Sequence, residues 1–245
     1  MSTNYKPLIS IIIVVYNAEA VLEETLFSIF KQAYKNIELI IIDGFSTDDT
    51  LTIIKKHEQK ISHWISEPDN GVYDAMNKGA NIASGNYLYF LGAGDLLLDV
   101  ISAIAPLLID RRVIYYGDVF RTDLKSRYGG YFSPFKLSVK NICHQAIFYP
   151  LDVFKNYKYN VTYKMLSDYN LNMCIYGDKR FSFKHIPFTI ALYQGGGISD
   201  SALDYTFYED KMSIIKANFS WCVFYYAYIR ARIAKLFKLN AYHLK

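Results

Sequence analysis

Three nearly unbroken apolar runs limit what this chain can become: "LISIIIVVY" from Leu8, "IELIIID" from Ile37 and "NYLYFL" from Asn86. A strand with one wet face alternates apolar and polar residues. These runs do not alternate, so they predict strands buried on both faces. Helical segments separate them. "AEAVLEETLFSIFKQA" sets Val21, Leu22, Thr25, Leu26 and Ile29 on one face, and "TDDTLTIIKKHEQK" and "VYDAMNKGANIAS" follow the next two strands. "SHWIS" reads as a further short strand. Strand and helix in alternation predict a parallel sheet with right-handed crossovers, an α/β doubly wound fold.

The pattern changes after about residue 110. "VIYYGDVF", "YGGYF", "CHQAIFYP" and "FSFKHIPFTIALYQ" read as strands with hairpin-like punctuation, and "YKMLSDYNLNMCIYG" as an amphipathic helix among them. No Pro/Gly/Ser linker cuts the chain, so the sheet should continue as a mixed one. At 245 residues and 52% hydrophobic, the chain can bury a sizeable core. The expected organisation is one domain over residues 1–217, with halves of about 1–110 and 111–217, and a distinct tail over 218–245.

Several function classes drop out. A net charge of +4 gives no general attraction for nucleic acid. Cys143, Cys174 and Cys222 are too scattered for a disulfide framework or a zinc site. The first apolar run reaches a tyrosine and an asparagine after about six residues, too short for a signal peptide or a membrane span. A cytosolic chain is expected, in which the sequons at Asn160 and Asn218 carry no glycan.

In open α/β sheets, ligands bind beyond the C-terminal strand ends. Those ends carry Tyr16-Asn17, then Asp43, Gly44 and Ser46, then Glu67 to Gly71, then Gly92-Ala93-Gly94-Asp95. Acids, amides and glycines thus gather on one edge, as a hydroxyl-rich ligand with a metal-bound diphosphate requires. Each has a plainer reading. Ser46 to Asp49 resemble a capping box that starts the second helix. Asp43 is either a strand-end turn residue or a carboxylate facing a base or ribose. Asp74, Asn77 and Lys78 share a helical face, as a solvated ion pair or as a cleft wall with Lys78 on phosphate. Asp95 is a turn acid or a ligand for a hard divalent cation. Asp168 is a first-turn helix acid, or something more. His144 and Gln145 are polar core residues, or contacts for acceptor or phosphate.

Together these blocks resemble the inverting family-two glycosyltransferases of the GT-A fold. The resemblance rests on residues 7–50, on "SEPDNGVYDAMNKGANIASGNYLYFLGAGD", "CHQAIFY", "SDYNL" and "GGGIS", in the family's order. The second block is most similar to bacterial enzymes of O-antigen, capsule and exopolysaccharide synthesis. The resemblance implies a Rossmann-like nucleotide-binding fold with a mixed central sheet. It also implies transfer of a hexose from a nucleotide sugar, most often a UDP-sugar, to a lipid-linked saccharide. Asp43 would hold the base, with Tyr16, Asn17, Ser46 and Gly94 lining the nucleotide pocket. Asp74 and Lys78 would lie by nucleotide and phosphates, and Asp95 would bind Mn²⁺ or Mg²⁺. Asp168 would be the catalytic base. The chain departs from the family where "GAGD" holds a single acid, leaving Asp99 as a remote second ligand, and where Ser167 precedes Asp168. That depletion keeps open a catalytically silent sugar-nucleotide-binding or scaffold protein working with other polysaccharide-assembly enzymes.

Residues 218–245 combine Trp221, Phe224, Tyr225, Tyr226, Tyr228 and Phe237 with five cations and no acid. This composition reads either as a buried helix of the second half or as an amphipathic helical segment on an anionic membrane surface, and the basic aromatic mix favours the second. It predicts peripheral attachment to the inner face of the cytoplasmic membrane.

Overall fold

The structure, a computed structural model, describes residues 5–195 and 203–237. Strands β1 (Ile9–Val15), β2 (Ile37–Asp43), β3 (His63–Ser66) and β4 (Tyr87–Gly92) run parallel in the order β3-β2-β1-β4. The second half completes the sheet with β5 (Leu96–Leu97), β6 (Val113–Arg121), β7 (Ser126–Tyr128), β8 (Ile147–Pro150) and β9 (Ser182–Tyr193). Beyond β4 the order is β8-β6-β9-β5, with β7 on the outer length of β6. β8 is antiparallel to both β4 and β6, whereas β6 and β9 are parallel. The sheet is therefore mixed, as expected.

The apolar runs sit where their lack of alternation requires. Ile9, Ile11, Ile13, Leu39, Ile41, Tyr87 and Tyr89 face one core, and Ile12, Ile40, Ile42, Leu88 and Phe90 face the other. Each strand thus buries both sides, its period of two dividing the residues between cores. Helix α1 (Leu22–Phe30) supplies Leu22, Leu26 and Ile29 to the first core. Helix α3 (Val72–Ile82) supplies Tyr73, Met76 and Ala80 to the second. Between them in the chain is the short α2 (Thr50–Lys56).

Later helices are α4 (Ile101–Ile104), α5 (Pro134–Val139), α6 (Leu151–Asn156), α7 (Ser167–Gly177), α8 (Tyr205–Asn218) and α9 (Trp221–Leu236). Two expectations are corrected here. "YGGYF" is not a strand: Gly129 and Gly130 take positive φ and end β7 at Tyr128. Nor does α7 keep a wet face, since α8 packs over it and Ser167, Asp168, Tyr169, Leu171, Asn172, Met173 and Ile175 are all buried. Of the "GGGIS" block only Gly195 is described, and Lys238 and Lys245 also lie outside the described residues.

Candidate active site

A cavity of about 1210 Å³ opens beyond the C-terminal ends of β1, β4 and β6 and is closed on its far side by α7, α8 and α9. It exceeds the size of a typical single-ligand pocket, and so has room for a donor and an acceptor together. Tyr16, Asn17, Asp95, His144, Gln145 and Asp168 all line it.

Tyr16 is 65% exposed at the exit of β1. Asn17 follows with φ 48°, a left-handed conformation that asparagine tolerates. Its amide donates to Ser46 Oγ at 2.8 Å, and its Oδ1 accepts from Thr47 N at 2.9 Å. Ala18 N donates to Thr50 Oγ1 and Asp49 N donates to Glu19 Oε2, both at 2.8 Å. The hydroxyls and acids after β2 therefore stitch the β1 and β2 exit loops together. The expected capping box is absent: α2 begins at Thr50, and neither Ser46 nor Asp49 caps it. Ser46 Oγ instead donates to Asp43 Oδ1.

Asp43 does not face the cavity. It is 0% exposed, and its carboxylate accepts from Ser46 N, Ser46 Oγ and, at 2.6 Å, Ser66 Oγ. A carboxylate has about four lone-pair sites, and three donors occupy most of them. The acid that does reach the cavity here is Asp69. Its Oδ1 accepts from Gly71 N at 2.8 Å. Its Oδ2 would lie 2.6 Å from a Cβ at Gly44, so a larger residue at the β2 exit would require the Asp69 side chain to shift. The signal for Asp69 was its place at the end of β3.

Helix α3 also departs from expectation. Lys78 Nζ pairs with Glu67 Oε1 at 2.8 Å and donates to Pro68 O at 2.8 Å, and the Glu67 bond raises its pKa. Asp74 Oδ2 accepts from Asn70 N at 3.0 Å. Asn77 clamps the backbone of Tyr159 through two bonds of 2.9 Å. None of the three lines the large cavity; they brace the loops beside it. The cations that do line it are Arg121, Lys140, Lys164, Lys211, Arg230 and Lys235.

Asp95 is 5% exposed on the cavity wall. Its Oδ2 accepts from Gln145 Nε2 at 2.7 Å and its Oδ1 from Gln194 N at 3.0 Å. Burial raises its pKa above the usual carboxylate range, against those bonds and nearby His144. A Cβ at Gly92 would meet Asp95 Oδ2 at 2.7 Å, so glycine there lets the carboxylate fold back. Gly94, at φ +95°, donates its amide to Thr25 Oγ1 at 2.9 Å and anchors the loop on α1 rather than lining the cavity. Asp99 Oδ1 accepts from Ala33 N at 3.2 Å, also away from it.

Among the described residues no group of three or more His, Cys, Asp or Glu side chains converges on one point. The acid at the β4 exit is Asp95, a hard oxygen donor. That donor fits Mg²⁺ or Mn²⁺ when phosphates and water complete the shell.

Asp168 opens α7, 5% exposed and on the cavity wall. Its Oδ1 accepts from Tyr169 N at 2.8 Å and lies 3.1 Å from the Tyr73 hydroxyl, which also reaches Met165 O. Asn141 Nδ2 donates to Oδ2 at 2.9 Å. Asn141 is oriented in turn by Asn172, and Asn172 by the Tyr149 hydroxyl at 2.7 Å. His144 Nδ1 stands 3.5 Å from Oδ2. This buried polar chain holds the carboxylate in one orientation. Nothing in the local sequence marks Tyr73 or Asn141 as its partners, because they come from α3 and the loop after α5, whereas Asn172 sits one turn on along α7.

Comparison with known proteins bears on the fold and the family. The chain is 37% identical over 213 residues, 82% of each chain, to a PGL/p-HBAD biosynthesis glycosyltransferase of Mycobacterium bovis. Among solved structures it resembles Staphylococcus aureus TarS 1–349 in complex with UDP-GlcNAc, at a TM-score of 0.68 and 20% identity, covering 86% of this chain and 66% of that one. It also resembles the mannosyltransferase PcManGT of Pyrobaculum calidifontis in complex with GDP-Man and Mn²⁺, at a TM-score of 0.62 and 16% identity, covering 78% of this chain and 57% of that one. These likenesses confirm the GT-A fold with its mixed sheet and C-terminal helices. Residues 10–184 match the profile of glycosyl transferase family 2, and the chain belongs to that family.

Proposed function

We propose that the chain transfers a hexose, with inversion, from a UDP-sugar to a saccharide hydroxyl. The observation that carries the reading is Asp168: a buried, fixed carboxylate on the wall of a cavity large enough for two substrates. Inversion needs one base. Asp168 takes the proton of the acceptor hydroxyl as that oxygen attacks the anomeric carbon. The bond from that carbon to the diphosphate oxygen breaks on the opposite face, and the nucleoside diphosphate leaves. Tyr16, Asn17 and Asp69 form the nucleotide end of the cavity, and Asp95 marks its diphosphate end. Asp95 would hold Mn²⁺ or Mg²⁺, which when bound neutralises charge on the leaving diphosphate. Asn141 and Tyr73 orient the base, and their bonds keep it from turning into the core. TarS in complex with UDP and with UDP-GlcNAc supports a uridine donor.

The acceptor is read as a lipid-linked saccharide of bacterial surface polysaccharide synthesis, reached from the inner face of the cytoplasmic membrane. Helix α9 supports this. Val223, Ala227 and Ala234 pack inward, while Trp221, Tyr225, Ile229, Ile233 and Leu236 form an exposed stripe at helical spacing. Such a stripe fits the headgroup layer, not a span. Among the described residues no helix is long and apolar enough to cross a membrane.

A donor panel read by nucleotide release with Mn²⁺ tests the activity, and NMR of the product tests the stereochemistry. The reading requires UDP release and an anomeric configuration opposite to the donor's. A product of retained configuration contradicts it.

A further inference from the structure

The far wall of the cavity carries cations that the transfer chemistry does not use. Lys211, on α8, lies with Nζ 4.9 Å from the Tyr169 ring centroid and 5.7 Å from that of Tyr208. It lines the cavity, and among the described residues the charged group that shifts it is Arg230, not a carboxylate. Burial pushes its ammonium down to about 8, and the neighbouring Arg230 guanidinium adds to the shift. Arg230, on α9, donates to the Tyr226 hydroxyl at 3.1 Å and also lines the cavity. Lys164 and Lys235 stand on the same lining. A partly buried cation with no counter-charge among the described residues is costly, and two side by side more so. An anion entering the cavity would relieve that cost.

The position says which substrate brings the anion. Asp69 and Asp95 lie at the strand ends of the nucleotide half. Asp168 comes next through His144, and Lys211 lies beyond it, over Tyr169. Lys211 and its neighbour Arg230 are therefore on the acceptor's side of the base, whereas Lys164 also borders Asn70 and Gly71 of the donor half. Helix α9 joins this subsite to the surface: Arg230 turns to the cavity while Ile229 and Ile233 remain exposed.

We propose that Lys211 and Arg230, with Lys235 at the rim, bind the phosphate or diphosphate that links the acceptor sugar to its lipid. The proposal rests on the glycosyltransferase reading above and names the acceptor's charged group. Calorimetric titration of the full chain, saturated with UDP and Mn²⁺, tests it with farnesyl diphosphate, farnesol and inorganic pyrophosphate.

Farnesyl diphosphate should bind while UDP is present, farnesol should not, and pyrophosphate should bind more weakly. Lys211→Met and Arg230→Met should each weaken farnesyl diphosphate about tenfold, a loss of one charge-assisted contact. Both should leave UDP affinity within about twofold. Lys211→Arg should retain binding, and matched melting temperatures would separate loss of contact from loss of fold. Displacement of farnesyl diphosphate by UDP, or an equal loss of UDP affinity in the variants, would assign the cations to the donor and overturn the proposal. Unchanged farnesyl diphosphate binding in both variants, or pyrophosphate binding as tightly, would overturn it too. A wild-type chain that fails to bind UDP counts against the donor reading instead, and the same titrations without UDP still decide the subsite.

Discussion

Two acids on the cavity wall are held in different ways, and their variants should fail differently. Asp168 is oriented by Asn141, itself oriented by Asn172. Asn141→Ala removes the donor to Oδ2 and lets the carboxylate turn. The expected result is a kcat lower by roughly 10- to 100-fold, with the donor KM little changed. Steady-state kinetics at saturating acceptor check it. Asp95 is held above the usual carboxylate range by burial. Its folded form keeps a proton that the unfolded chain has lost. The stability from that proton is present below the ordinary carboxylate value and is lost as pH rises through the raised one. Over that window the wild-type melting temperature should fall relative to Asp95→Asn, and Mn²⁺ affinity should rise as the carboxylate ionises. Melting and Mn²⁺ titrations from the ordinary carboxylate value upward read both. Asp95→Ala should raise the Mn²⁺ concentration for half-maximal rate ~10-fold or more.

Two features of the C-terminal helices matter at the scale of elements. Asp204 caps α8 by accepting from Phe207 N at 3.3 Å, and the same carboxylate accepts from Met165 N at 2.8 Å and Leu166 N at 3.1 Å. One buried acid thus fixes both the start of α8 and the turn that delivers Asp168. Asp204→Ala should cost about 1–3 kcal/mol in urea unfolding, because it strands several buried donors. Helix α9 makes the opposite prediction. Ile229 and Ile233 are 54% and 46% exposed, so Ile229→Glu with Ile233→Glu should leave the melting temperature nearly unchanged. The same pair should abolish flotation with anionic vesicles. Undiminished flotation would remove the membrane role from this helix.

The whole molecule explains which parts could be read from the chain. The first sheet half was legible because its signal is local: an apolar run with no polar interruption has one stable placement, between two layers. The gathering of Asp95 and Asp168 on one cavity was legible through the order of the blocks. The direction in which a strand-end side chain points was not. Asp43 and Asp69 sit in similar sequence settings, yet Ser46 and Ser66 draw Asp43 inward while Gly44 makes room for Asp69. Lys78 was misplaced for the same reason: an i, i+4 spacing gives the face of a helix but not what that face meets. The cations on α8 and α9 could not be foreseen from spacing, since their convergence depends on how two C-terminal helices close over α7.

In the proposed mechanism Asp168 is the base and takes no part in binding the donor. It is tested by Asp168→Asn, measured for turnover by UDP release and for UDP affinity by titration on the same preparation. Asparagine keeps the shape and can still accept from Tyr169 N, but it cannot take a proton. The expected result is a kcat lower by ~10³-fold, within the range for loss of a general base, at a UDP affinity within about twofold of wild type. Full turnover with intact UDP binding would contradict it.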